Sequence, residues 1–74
     1  MASCTILLKN AQEQYIDIPS NRFRHYEWEE KDGFFSILGE EWKGREYGYT
    51  RIAKIRLNAI NGYVFDHNDY NDNE

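Results

Sequence analysis

Cysteine and proline each occur once in the 74-residue chain, as Cys4 and Pro19, and histidine twice, as His25 and His67. One cysteine permits no internal disulfide, and with no Cys or His near it in sequence Cys4 does not read as a metal or redox site. It reads as a buried or half-buried strand residue. Long apolar runs are also missing. The most continuous one, "TILL" (Thr5, Ile6, Leu7, Leu8), falls far short of the ~20 residues a helical membrane span needs. No secretory leader pattern is readable, so a reducing, cytoplasmic setting is expected, the host cytoplasm if the chain is phage-encoded, with no membrane partner. The scarcity of proline and a moderate share of Leu, Ile and Val argue against general disorder.

An excess of positive charge is absent as well. The chain carries 13 acids against nine bases, a net charge of −4. Four of the acids, Asp66, Asp69, Asp72 and Glu74, fall in "DHNDYNDNE", which holds no Lys or Arg. Residues 1–65 are therefore balanced, and the chain divides into one small β domain over 1–65 and an acidic polar tail over 66–74. A neutral domain is a poor general DNA binder, since clustered positive charge is expected there. Within the tail, "DYNDN" resembles the opening of a calcium loop but lacks its glycine and its closing glutamate. A solvated tail, or one that contacts a basic patch on a partner, is the reading.

Catalytic sets are missing too. Ser3, Ser20 and Ser36 carry no nucleophile signature, and no glycine-rich phosphate loop occurs. Glu27, Glu29 and Glu30 read as a solvated strand edge. The expectation is a protein that is not an enzyme and uses no cofactor or metal.

What is present is strand periodicity and aromatics, the latter at 16% of residues. "SCTILLKN" and "QYIDI" pair as a first hairpin that ends at Pro19, and "PSN" is able to cap a short helical turn. In "RFRHYEWEE", Phe23, His25, Glu27 and Glu29 alternate with Arg24, Tyr26, Trp28 and Glu30. Tyr26 and Trp28 mark the second set as the inner one. "KDG" is a tight reversal in which Gly33 takes positive φ. In "FFSIL", Phe35 and Ile37 oppose Phe34, Ser36 and Leu38, which completes a central hairpin over 23–38. "GEEWKGREYGYT" interrupts the alternation and forms a loop or an irregular, extended hairpin arm. In "RIAKIRL", Ala53, Ile55 and Leu57 face away from Lys54 and Arg56. Ile52 falls on the charged side, which calls for an edge, a bulge or a covered face.

"INGYVFD" admits two conformations. Asn61-Gly62 suits a type I′ hairpin turn, but that hairpin would place Ile60 on the charged face. A short helical turn over 58–61 turns Ile60 inward and frees 63–65 to pair with a distant strand; this reading is preferred. The architecture expected is all-β: five or six short antiparallel strands in a strongly bent sheet or small barrel of SH3-like or Sm-like size, with at most one short helical turn.

Two candidate surfaces follow. In "EEWKGREYGY", Trp42, Arg45, Tyr47 and Tyr49, flanked by Glu40 and Glu41, are the residue types of binding hot spots, and Gly44 and Gly48 let a loop present them. The same aromatics also suit packing over the end of the core, and both readings stay open. The second surface is basic. Arg24, Arg51, Lys54 and Arg56 interleave with Phe23, Tyr26, Tyr47 and Tyr49, as in small barrels that bind RNA or single-stranded DNA. A solvated strand face paired with acids explains the bases equally. At this length, burial between copies is a further expectation, and pockets between copies would suit a small ligand such as a nucleotide.

The order "TILLKN…YIDI…DGFFSIL…RIAKIRLNAINGYVF" resembles a loose class of short proteins carried by phages and mobile elements. The resemblance covers most of residues 4–65 and rests on patterning; the aromatic segment 40–49 departs from it. It implies a compact β-fold in a phage-borne or bacterial intracellular protein and brings no catalytic residue. Small scaffold, neutral domain and aromatic loop together point to a non-enzymatic protein-binding module, a homo-oligomer that occludes a surface of another protein. A phage-encoded inhibitor of a host or anti-phage defence protein is its most concrete form. In a secondary version Glu27, Glu29, Glu30, Glu40 and Glu41 imitate nucleic-acid charge.

Overall fold

The computed structural model describes residues 2–67. Six strands follow in order: β1 (Ala2–Leu8), β2 (Glu13–Ile18), β3 (His25–Lys31), β4 (Phe34–Trp42), β5 (Tyr47–Arg56) and β6 (Ile60–Asp66), with a 3-10 turn at Leu57–Ala59 before β6. The fold is all-β, and the strands pair antiparallel in two three-stranded sheets, β2-β1-β6 and β3-β4-β5. No helix among the described residues is long and apolar enough to cross a membrane. From residue 68 onward the acidic tail lies outside the described residues; Asp66 still belongs to β6.

The sheets lie face to face. Ala2, Cys4 and Ile6 of β1 and Ile18 of β2 bury against Phe35 and Ile37 of β4. Tyr63 and Phe65 of β6 complete the layer, with the Tyr63 ring 4.2 Å from that of Phe35. The cysteine thus sits in apolar surroundings, and burial pushes its thiol pKa up. The expected closed barrel is not formed. Residues 19–24 and the 3-10 turn each carry the chain from one sheet to the other, so strands on either side of them stack instead of pairing. β2, β6, β3 and β5 are left as sheet edges.

Local chemistry accounts for the connections. Asp32 (φ 55°) and Gly33 (φ 81°) form the two-residue turn between Lys31 and Phe34, which are paired across it. Between β1 and β2, the Asn10 side-chain oxygen accepts from the Gln12 backbone N–H at 3.1 Å, an Asx turn that leaves Ala11 at φ 69°. Asn61-Gly62 makes no hairpin. β6 pairs with β1 across this dipeptide, and the register slips there, with Leu7 opposite Gly62 and Leu8 opposite Ile60. Asn61 is therefore the extra residue of a bulge, and the 3-10 turn lies ahead of it.

β5 resolves the anomaly of Ile52. Leu38 pairs with Arg51 and Ile37 with Ala53, so Ile52 is skipped by the ladder. A bulge turns two successive side chains the same way, and Ile52 and Ala53 both pack on the core. Phe23 departs from the expected alternation. It precedes β3 in a turn where the Arg22 and Phe23 N–H groups donate to the Pro19 carbonyl at 3.2 and 3.0 Å. Its ring reaches inward over Gly39, where a Cβ would lie 2.4 Å from a ring carbon.

Candidate functional site

The two candidate sets from the sequence converge on the outer face of the β3-β4-β5 sheet. Residues paired across a sheet point to the same side, so the register assigns each one. Phe34, Ser36, Leu38, Glu40 and Trp42 of β4 face outward between two flanking columns. His25, Glu27, Glu29 and Lys31 form the β3 column; Tyr47, Tyr49, Arg51, Lys54 and Arg56 form the β5 column.

The segment 40–49 is an extended arm of the β4-β5 hairpin. Trp42 pairs with Tyr47, Glu41 with Gly48 and Glu40 with Tyr49. Residues 43–46 close the arm through the Lys43 N–H to Glu46 carbonyl bond of 2.8 Å, with Gly44 at φ 97°. Trp42 meets the Tyr47 ring edge-on at 5.2 Å, yet the two stay 56% and 44% exposed, and Tyr49 44%. Arg24 is drawn into this cluster. Its guanidinium stacks 3.3 Å above the Tyr47 ring centre while its Nε donates to Glu40 at 2.8 Å. That hydrogen bond holds the Glu40 carboxyl below its usual range and raises the arginine. Tyr49 donates its hydroxyl to Glu27 at 3.0 Å; desolvation and this bond raise its pKa. The arm carries exposed aromatics beside an internally neutralised ion pair, the combination in which interface anchors recur. Arg45 is exposed in the closing loop.

Glu41 does not share this face. It lies beneath the arm, where it accepts from Arg22 Nε at 3.1 Å, from Lys43 Nζ at 3.4 Å and from the Thr50 hydroxyl. These donors depress its pKa to about 2. Its role is to brace the arm. The acids proposed as a charge mimic are divided in the same way. Glu30 points to the inner side and accepts from Tyr63 at 2.8 Å, so Glu27, Glu29 and Glu40 alone share the outer face.

The basic set is similarly split. Arg24 belongs to the aromatic end, whereas Arg51, Lys54 and Arg56 line β5. Lys54 and Arg56 lie over the Phe34 ring at 4.4 and 5.1 Å. Across the same face stand Glu27 and Glu29, a column of the opposite sign. Composition gave no hint of this juxtaposition, because it depends on which β3 and β5 residues share a row with β4.

A second cluster was missed from the sequence. At the seam between β3 and β6, Tyr26 stacks on Phe65 at 5.3 Å, Trp28 meets the same ring at a tilt at 4.8 Å, and the Tyr26 hydroxyl hydrogen-bonds the His67 ring. Trp28 is half exposed there, so the expected inner face of β3 holds only in part. Its cause is geometric: β3 and β6 are both edges, and their aromatics seal an open side of the sandwich. Among the described residues no three His, Cys, Asp or Glu side chains gather as a metal site. Comparison with known proteins finds no matching family model, no matching curated protein and no matching solved structure.

Proposed function

We propose that this chain is a non-enzymatic protein-binding module that works by covering a surface of another protein, with the β4-β5 arm as its contact. One observation carries the reading: Trp42, Tyr47 and Tyr49 share one outward face, half exposed, with Arg24 and Glu40 already paired among them. Side chains fixed before binding lose little entropy on contact, which favours affinity. A phage-encoded inhibitor of a host or defence protein is the most concrete form, and it draws on the resemblance described above.

The test changes Trp42 and Tyr47 together to Ala and follows both thermal stability and capture of a partner from cell extract. The expected result is a melting profile close to that of the parent with capture lost, because exposed side chains on an arm contribute little to the core. Retained capture, or collapse of the fold, removes the arm as the contact.

Nucleic acid is the second reading, favoured by the alignment of Arg51, Lys54 and Arg56 beside Phe34. Glu27 and Glu29 on the same face oppose a polyanion. This reading predicts an oligonucleotide mobility shift at low salt that Arg56→Ala and added salt both weaken.

A further inference from the structure

The outer face of the β3-β4-β5 sheet carries a charge pattern that matches its own image. In one row Glu29 of β3 and Lys54 of β5 flank Ser36; in the next, Glu27 and Arg51 flank Leu38. Neighbouring strands lie ~4.8 Å apart, so the backbones that carry the acid and base of a row are ~10 Å apart, and neither row closes an ion pair of its own. Glu29 and Arg51 make no side-chain hydrogen bond or ion pair among the described residues, and Lys54 has only the Phe34 ring, whereas Glu27 already accepts from Tyr49 at 3.0 Å and lies 3.5 Å from His25 Nε2. Between the columns, Leu38 is apolar and half-buried, while Ser36 is covered, at 4% exposure.

We infer that this face pairs with the same face of a second copy, related by a twofold axis running parallel to β4. That axis exchanges the two columns and keeps each row in place. Glu29 of one copy then meets Lys54 of the other, and Glu27 meets Arg51, while the Leu38 side chains meet at the centre. A twofold perpendicular to the strands would set acid on acid and base on base, which complementarity disfavours. The row of Lys31, Phe34 and Arg56 carries one sign at both ends, so the match is confined to the two central rows. An isologous contact of this kind needs no other partner to satisfy its charges. The same axis brings the two aromatic arms face to face at one end of the pair, so self-association and target contact draw on the same face and compete.

Three strands and a few rows cover less than the ~800 Å² per partner of a standard interface, so a weak, reversible dimer is expected. Light scattering across a concentration series into the ~100 μM range, well above a micromolar dissociation constant, gives the mass of the parent chain. Two charge-reversed proteins accompany it, one with Glu27→Lys and Glu29→Lys and the other with Arg51→Glu and Lys54→Glu. Each reversal makes both columns alike, so each protein alone should weaken at least ~10-fold in self-association. An equimolar mixture should recover the dimer, since an all-positive face then meets an all-negative one. Higher salt should dissociate the parent dimer. A parent chain that stays monomeric, reversed chains that associate like the parent, or a mixture that stays monomeric would each overturn the inference. Mass is independent of target capture, so this dimer and the arm's role are decided separately.

Discussion

Glu41 shows how one carboxylate ties the β4-β5 arm to its neighbours. Arg22 reaches it from the turn before β3, Lys43 from the closing loop and Thr50 from β5, so three segments converge on one group. The side chain is only 17% exposed and accepts from all three of these donors. Its pKa of about 2, against an ordinary 4.5, gives the sign of a pH effect. Above pH 4.5 the group is ionised both folded and unfolded, and its stabilisation is complete. As pH falls from 4.5 towards 2, the unfolded chain takes up the proton first and the stabilisation is lost. Urea melts of the parent and of Glu41→Gln should therefore differ by a constant amount at neutral pH, and that difference should shrink through this window. Taking the difference removes the other carboxylates, Glu40 among them, that titrate nearby. A gap that stays constant down to pH 2 would show that Glu41 does not brace the arm.

Turns and bulges decide which faces the strands present, and the dipeptides Asp32-Gly33 and Asn61-Gly62 behave in opposite ways. Gly33 holds φ 81° in a hairpin turn, whereas Gly62 lies outside the left-handed region, in a strand bulge with open space where a Cβ would point. Gly33→Ala should cost about 1–2 kcal/mol for the left-handed conformation. Gly62→Ala should be neutral, or stabilise by up to about 1 kcal/mol through the unfolded chain. Equal losses in thermal melts would restore a type I′ turn at Asn61-Gly62 and reject the bulge. The central hairpin was legible in sequence because its cue is local: "DG" between two alternating runs. So was the irregularity at Ile52, since an aliphatic residue on a charged side has few ways to be buried. Phe23 was not legible, because alternation extrapolated backward from β3 runs past the point where the chain leaves the strand. The outward face of the arm was equally hidden. Its rows follow from pairing across the 43–46 loop, and neither the loop nor the bulge leaves a mark in composition.

Two sheets from so short a chain leave the molecule dependent on a few bridging side chains. Residues 2–67 extend over 39 × 29 × 14 Å, a thin sandwich whose short dimension admits a single layer of core. A barrel and a sandwich share the same alternating strands, and the difference between them lies in which edges meet. That is fixed by contacts between segments far apart in sequence, so the periodicity was equally consistent with either. Phe35 is the clearest of those contacts. It sits on the central strand of one sheet, is fully buried, and stacks on Tyr63 of the other at 4.2 Å with Phe65 at 6.5 Å. Truncating a buried phenylalanine to alanine costs about 3–5 kcal/mol. A domain of this size has a total stability of only about 3–10 kcal/mol at the usual value per residue. Phe35→Ala should consequently lose about a third or more of the total stability, with its urea midpoint far below the parent's, while Phe35→Leu should keep a cooperative melt at a midpoint between the two. Far-ultraviolet circular dichroism with urea titration gives both answers. If Phe35→Ala melts within about 1 kcal/mol of the parent, the loss is too small for a buried ring, and the two sheets are not held together through this residue. If the parent pairs through its outer face, association adds stability that rises with concentration, so the three proteins are to be compared at one fixed concentration.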